Sequence, residues 1–141
     1  MSLLSDIKQP KQSAYYQKMI LLNLKFEFKT NNRIFFPNGK HQDLNDHTYK
    51  FEITLQSPVD TNGLAIDFYK IEADYRHHIA PILNVPILNN SLPEMNTTVE
   101  NIAYYIWQQF DAIIETPASI HSLTLYETKQ HSVTLTEEMI K

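Results

Sequence analysis

The side chains of this sequence best suited to chemistry stand at the head of one alternating stretch, Leu44 to Gln56, and at the foot of another that ends near Glu127. Tyr49, Phe51, Ile53 and Leu55 alternate with Lys50, Glu52, Thr54 and Gln56, the period of two expected of a strand with one face in a core. Counting back by twos puts His47 and Asn45 on that apolar face, where polar groups need hydrogen-bond partners or a ligand. A lone histidine there reads as a satisfied core residue or as part of a site, and the local pattern leaves both open. His41, Asp43 and Asp46 are near enough in sequence to suggest a metal cluster, although short acidic loops are usually just solvated. His77 and His78 are adjacent and would point about 100° apart on a helix, so they are expected on the surface. From Ile120 the alternation aligns His121, Leu123, Leu125 and Glu127. A glutamate in register with leucines belongs either at an exposed strand end or opposite a cation or amide donor.

The elements that must position these residues can be read from the same patterning. Residues 1–13 carry Pro10 and mixed charge and read as a flexible N-terminal arm; residues 14–141 are expected to form a single domain. Leu22, Leu24, Phe26 and Phe28 define a first strand, whose parity would carry Thr30 and Asn32 to the core side. Asn31 to Asp46, with Pro37-Asn38-Gly39 inside it, reads as a long connection to the second strand. A helix capped by Asp67 should bury Phe68, Ile71, Tyr75, Ile79 and Ile82 and end or kink at Pro81. Asn84 to Asn96 reads as a long loop. Thr97-Thr98-Val99-Glu100 fits a capping box opening a second helix, with Val99, Ala103, Ile106, Phe110 and Ile113 as its buried stripe. Two strands follow, giving ββααββ: an α+β domain with a four-stranded antiparallel sheet and two helices on one face. Its two open edges make oligomerisation through them an expectation.

Composition narrows the partners. The chain has no cysteine, which removes disulfides and thiolate chemistry, and its net charge of -4 without a basic run gives no footprint for nucleic acid. The longest apolar run near the N-terminus, Met19 to Leu22, is too short to span a bilayer, and nothing resembles a signal peptide, so a soluble cytoplasmic protein is expected.

Three segments together resemble the 6-pyruvoyl-tetrahydropterin synthase and 6-carboxytetrahydropterin synthase family, the tunnelling fold, over roughly Phe26 to Leu135. Thr97 to Trp107 is similar to the family's Pro-Thr-x-Glu-Asn helix start followed by Ile-Trp. Gly63 to Phe68 is similar to its Gly-x-x-x-Asp-Phe segment, and Leu125-Tyr126-Glu127-Thr128 to the strand end whose glutamate anchors the pterin. The resemblance implies that Glu127 binds a heterocycle by accepting hydrogen bonds from ring N–H and amino groups, with Thr98 beside it.

The family holds zinc with three histidines, and the resemblance places Asn32, Asn45 and His47 at those positions. A neutral asparagine oxygen replaces imidazole poorly, so the resemblance implies no metal cofactor here, with the three residues left as a polar ligand-binding cluster. The family's catalytic cysteine is matched by His41, a candidate base, and its Asp-His pair has no counterpart in Ile82 to Asn89. The resemblance thus implies a divergent, zinc-free, homo-oligomeric member that binds a pterin-like or purine-like small molecule without the family's lyase reaction. Two rivals are a repurposed enzyme working with His41 and His47, and a non-catalytic oligomeric scaffold.

Overall fold

The structure, a computed structural model, describes residues 2–140; of the expected arm, Met1 lies outside the described residues. Strands β1 (Met19–Phe35) and β2 (His41–Pro58) form a long hairpin, followed by helix α1 (Phe68–Asp74), which widens into a π-helical turn over Tyr75–Ile79 and continues as α2 (Ala80–Leu83). A single turn, α3 (Leu88–Ser91), precedes the long helix α4 (Val99–Ile113). Strands β3 (Ser119–Tyr126) and β4 (Ser132–Thr136) and a last turn, α5 (Glu137–Ile140), complete the chain. The sheet is antiparallel in the order β1-β2-β3-β4. The α+β architecture expected from the patterning is present.

One sheet face and the helices share a single core. Phe28, Phe51, Ile53, Leu55, Leu123 and Leu125 meet Ile71, Tyr75, Ile79, Ile106 and Phe110. Its centre is aromatic: Phe26 and Tyr75 lie with ring centroids 4.4 Å apart, and Phe51 packs edge-on to Phe110 at 5.9 Å, geometry that adds to the burial of large apolar area. The buried stripe of the first helix is Ile71, Tyr75, Ile79 and Leu83 rather than one ending on Ile82, and Phe68 is exposed. Three successive steps of four would drift by about 120° on an ideal α-helix. The π turn absorbs that drift. It lies just before Pro81, which has no N–H to donate, and it is closed by Ala80 N–H on the carbonyl of Tyr75.

Three expectations about connections are corrected. Asn31 to Asp46 is mostly strand, and only Phe36 to Lys40 forms the turn, with Gly39 at φ +80°. The strand is disguised because its inward residues, Thr30 and Asn32, are polar. The loop Asn84 to Asn96 contains α3. The cap of α4 is Thr98, whose hydroxyl accepts from Asn101 N–H, whereas Thr97 is fully buried with its hydroxyl turned to β1. With Thr98 as the cap, Asn101 occupies the position a capping-box glutamate would need, so the box does not close.

The loop before α4 also covers one open edge of the sheet. Asn84 Oδ1 accepts from Lys29 N–H, while Asn89 and Asn96 each accept an N–H from β1 and return an amide donor to a β1 carbonyl, at Arg33 and Phe35 respectively. Side-chain amides thus stand in for a neighbouring strand along Lys29 to Phe35, which blunts that stretch against pairing with other chains. Ser13 and Gln17 donate to carbonyls of Thr61 and Val59, which ties the chain before β1 to the loop after β2.

Candidate functional site

Parity carries Asn32 into the core as expected, and it is 4% exposed. Its Nδ2 donates to both the carbonyl and the hydroxyl of Thr97 at 3.1 Å, and its Oδ1 accepts from the Tyr49 hydroxyl at 3.1 Å. The orientation is chemically fixed, since a carbonyl can only accept. Thr97 passes the chain on by donating to Arg33 O at 3.0 Å. Burial pushes the Tyr49 phenol up to about 12, an effect that the Asn32 hydrogen bond opposes and the charge of Glu127 reinforces.

His47 is half-buried and stands edge-on to Tyr49, with ring centroids 4.5 Å apart. Its Nε2 lies 2.6 Å from the backbone carbonyl of Glu127, so Nε2 carries the proton and Nδ1 is left as an acceptor in the neutral ring. Glu127 follows the last residue of β3. It lines, together with His47, Phe51, Tyr126, Lys50 and Lys129, a cleft of about 880 Å³. The ion pairs among the described residues are Lys29–Asp46, Arg33–Asp43, Lys70–Asp74 and Lys70–Glu115, so the carboxylate of Glu127 is in none of them.

Asn45 does not join this group. Thr30 pairs with His47 and Asn32 with Leu44, so the lone residue Asn31 faces two residues, Asn45 and Asp46, across a β-bulge. One extra residue inverts parity. Leu44 turns inward and Asn45 is exposed, lining with Asn32, Arg33, Asp43 and Asn89 a cleft separate from the one at Glu127 and His47. The bulge is set by Asp46 at φ +53°, whose N–H donates to Asn31 Oδ1 at 2.6 Å. A second bulge, on β3, falls at His121, so Ile120 rather than His121 faces the core; His121 Nδ1 is buried there without a partner.

His41 is exposed at the start of β2, with its ring near Phe35. Six positions of strand separate it from His47, about 20 Å, so within one chain the two histidines do not share a site. The suggested cluster of His41, Asp43 and Asp46 is dispersed as well: Asp43 is held by a bidentate contact with Arg33, which keeps its carboxyl below the ordinary range, and Asp46 lies beside Lys29. Among the described residues no three His, Asp or Glu side chains gather as a metal site. His77 and His78 are exposed, as expected. Thr98 stands beside the buried Thr97, with its hydroxyl committed to the helix cap, and it does not line the cleft at Glu127.

These positions test the fit of zinc. Asn32 has its oxygen and nitrogen both engaged and Asn45 is exposed, which leaves Nδ1 of His47 as the one imidazole lone pair among the three. The donor set does not fit a zinc ion, which needs three or four convergent lone pairs.

A hairpin-led four-stranded antiparallel sheet carrying two helical segments, with an acidic residue at the end of β3, places the chain among the tunnelling-fold proteins. The sequence matches the 6-pyruvoyl tetrahydropterin synthase family over residues 21–138, and the chain belongs to that family. The fold is similar to that of Caenorhabditis elegans 6-pyruvoyl tetrahydropterin synthase, with a TM-score of 0.72 at 16% identity over 86% of this chain and 98% of that one. An uncharacterized protein from Wolinella succinogenes is similar at 0.66 and 12% identity, over 85% and 99%. A catalytic-residue mutant of Plasmodium vivax 6-pyruvoyltetrahydropterin synthase is similar at 0.65 and 14%, over 84% and 97%. No curated protein sequence matches the chain. No helix among the described residues is long and apolar enough to cross a membrane.

Proposed function

We propose that this family member binds a flat nitrogen heterocycle of the pterin or purine class at Glu127, without a zinc ion and without the metal-dependent lyase chemistry of the family. The observation that carries the reading is a contrast within one cluster. At positions that the family resemblance matches to zinc ligands, Asn32 and the Nε2 of His47 are engaged in internal hydrogen bonds, whereas Glu127, in no ion pair among the described residues, lines a cleft large enough for a bicyclic ring. A carboxylate so placed accepts two parallel hydrogen bonds from a ring N–H and its neighbouring amino group. The proposed protein is a cytoplasmic homo-oligomer, and the part of the β1 edge before Lys29, beyond the reach of the asparagines, supports association there.

The reading is tested by thermal shift of the purified protein against pterins and purines. Ligand at a hundred times its Kd stabilises the fold by about 2.7 kcal/mol. Glu127→Gln should abolish the shift, because an amide presents a donor where the ligand also presents one. A flat panel would leave the scaffold reading, with a family fold and no small-molecule ligand.

A further inference from the structure

We propose that His47 is a positioning residue for Glu127, holding the residue that anchors the ligand; this rests on the heterocycle-binding reading. The pairing of β2 with β3 ends at Lys50 opposite Tyr126, so Glu127 is the first residue that the β2 ladder no longer holds. On the other side it is tied to β4 only at the mouth of a turn, where Glu127 N–H and Thr128 N–H both donate to His131 O. Without another constraint this corner would fray, as strand ends do when their pairing stops.

The His47 imidazole supplies the constraint, its Nε2–H reaching the Glu127 carbonyl at 2.6 Å across 80 residues of sequence. The ring is itself held. Tyr49 packs edge-on to it at 4.5 Å and is pinned through its hydroxyl to Asn32, which is pinned to Thr97 just ahead of α4. The sequence Thr97, Asn32, Tyr49, His47, Glu127 is therefore one line of contacts from the start of the long helix to the rim of the cleft. A backbone fixed in this way keeps the base of the Glu127 side chain at the cleft, so less freedom is lost when a ligand arrives, and that is where a positioning residue contributes to affinity. At a position matching a zinc ligand of the family, the histidine now orients the anchor instead.

The test compares wild type, His47→Ala and His47→Gln, since a glutamine Nε2 donor can reach the same carbonyl. Amide hydrogen exchange at Glu127 and Thr128 is measured on ligand-free protein, and affinity is measured by calorimetry with neopterin and guanosine as probes. His47→Ala should raise exchange at these amides at least tenfold and weaken binding at least tenfold, while His47→Gln stays within about threefold of wild type in both. Unchanged exchange in His47→Ala overturns the inference, and so does raised exchange with wild-type affinity. A wild type that binds neither probe instead overturns the binding reading, and exchange at Glu127 and Thr128 then decides by itself whether His47 holds the corner.

Discussion

Replacing Asn32 probes whether the residues that the family resemblance matches to zinc ligands form a closed polar unit. Asn32→Ala removes the acceptor of the Tyr49 hydroxyl, on a residue with no measurable exposure, and the amide donor to Thr97 O. Each buried polar group left unpaired costs about 1–3 kcal/mol. Two such groups, with partial relaxation, predict a loss of about 2–4 kcal/mol. At roughly 3 °C per kcal/mol for a domain of this size, the melting temperature should fall by about 6–12 °C. Urea denaturation followed through the buried Trp107 gives the free energy directly. Asn32→Asp adds a sign. Ionised, the new carboxylate still accepts from Tyr49 but faces the Thr97 carbonyl with no donor, so burial and that carbonyl both raise its pKa above the unfolded value near 3.9. A group whose folded pKa is raised gives stability that is present at low pH and lost as pH rises, so this variant should be weakest near pH 7 and recover towards pH 4. Zinc should not raise the melting temperature of the wild type. An alanine variant within about 0.5 kcal/mol of wild type, or a zinc-dependent rise of several degrees that needs His47, would refute the closed-unit account.

Other perturbations follow from the same geometry. Tyr49 and Tyr75 are both pushed up to about 12 by burial, so each stays protonated in the fold where an unfolded tyrosine ionises near 10. Stability should be complete below pH 10 and decline as pH rises towards 12, with two tyrosines titrating late at 295 nm. Asp46→Gly should stabilise by about 0.5–1 kcal/mol in urea, because φ +53° costs an L-residue more than the exposed pair with Lys29 returns. The double change Asn89→Ala with Asn96→Ala exposes β1 backbone at Arg33 and Phe35; sedimentation should show larger species than wild type, and an unchanged profile would mean that the amides do not protect this edge.

The sequence was legible wherever a side chain's role is set by its near neighbours. Asp67 caps α1 by accepting from Tyr69 and Lys70 N–H, and Phe51, Ile53 and Leu55 are buried as their alternation requires. It was opaque where the deciding contact is distant. Parity puts Thr30 and Asn32 on the core side, but the strand reads as stopping at Asn31, because it is Val85 O and Thr97, more than fifty positions away, that satisfy these polar residues and let the strand run on. The asparagines at 84, 89 and 96 looked like loop composition until β1 lay beside them. Bulges are a third case. Parity is an argument about counting, and one inserted residue defeats it, which is why Asn45 was aimed inward with Asn32 and His121 with Leu123.

The substitutions in this cluster depend on one another. The family resemblance implies a carboxamide in place of imidazole at position 32, and its polar atoms are satisfied by the Tyr49 hydroxyl and by the carbonyl and hydroxyl of Thr97, which is free for this because Thr98 caps the helix. His47 would likewise carry an unspent Nε2 were the Glu127 carbonyl not in reach. Asn32→His alone should therefore fail to create zinc binding. Asn45 still faces out across the bulge, so Asn32→His adds one imidazole to the free Nδ1 of His47, and two such lone pairs fall short of the three a zinc site needs. A triple variant that also replaces Asn45 with histidine and Asp46 with glycine keeps that bulge and should bind zinc no better than the single one. Stoichiometric zinc binding by the single variant, seen by calorimetry, would show that the cluster is still poised for metal.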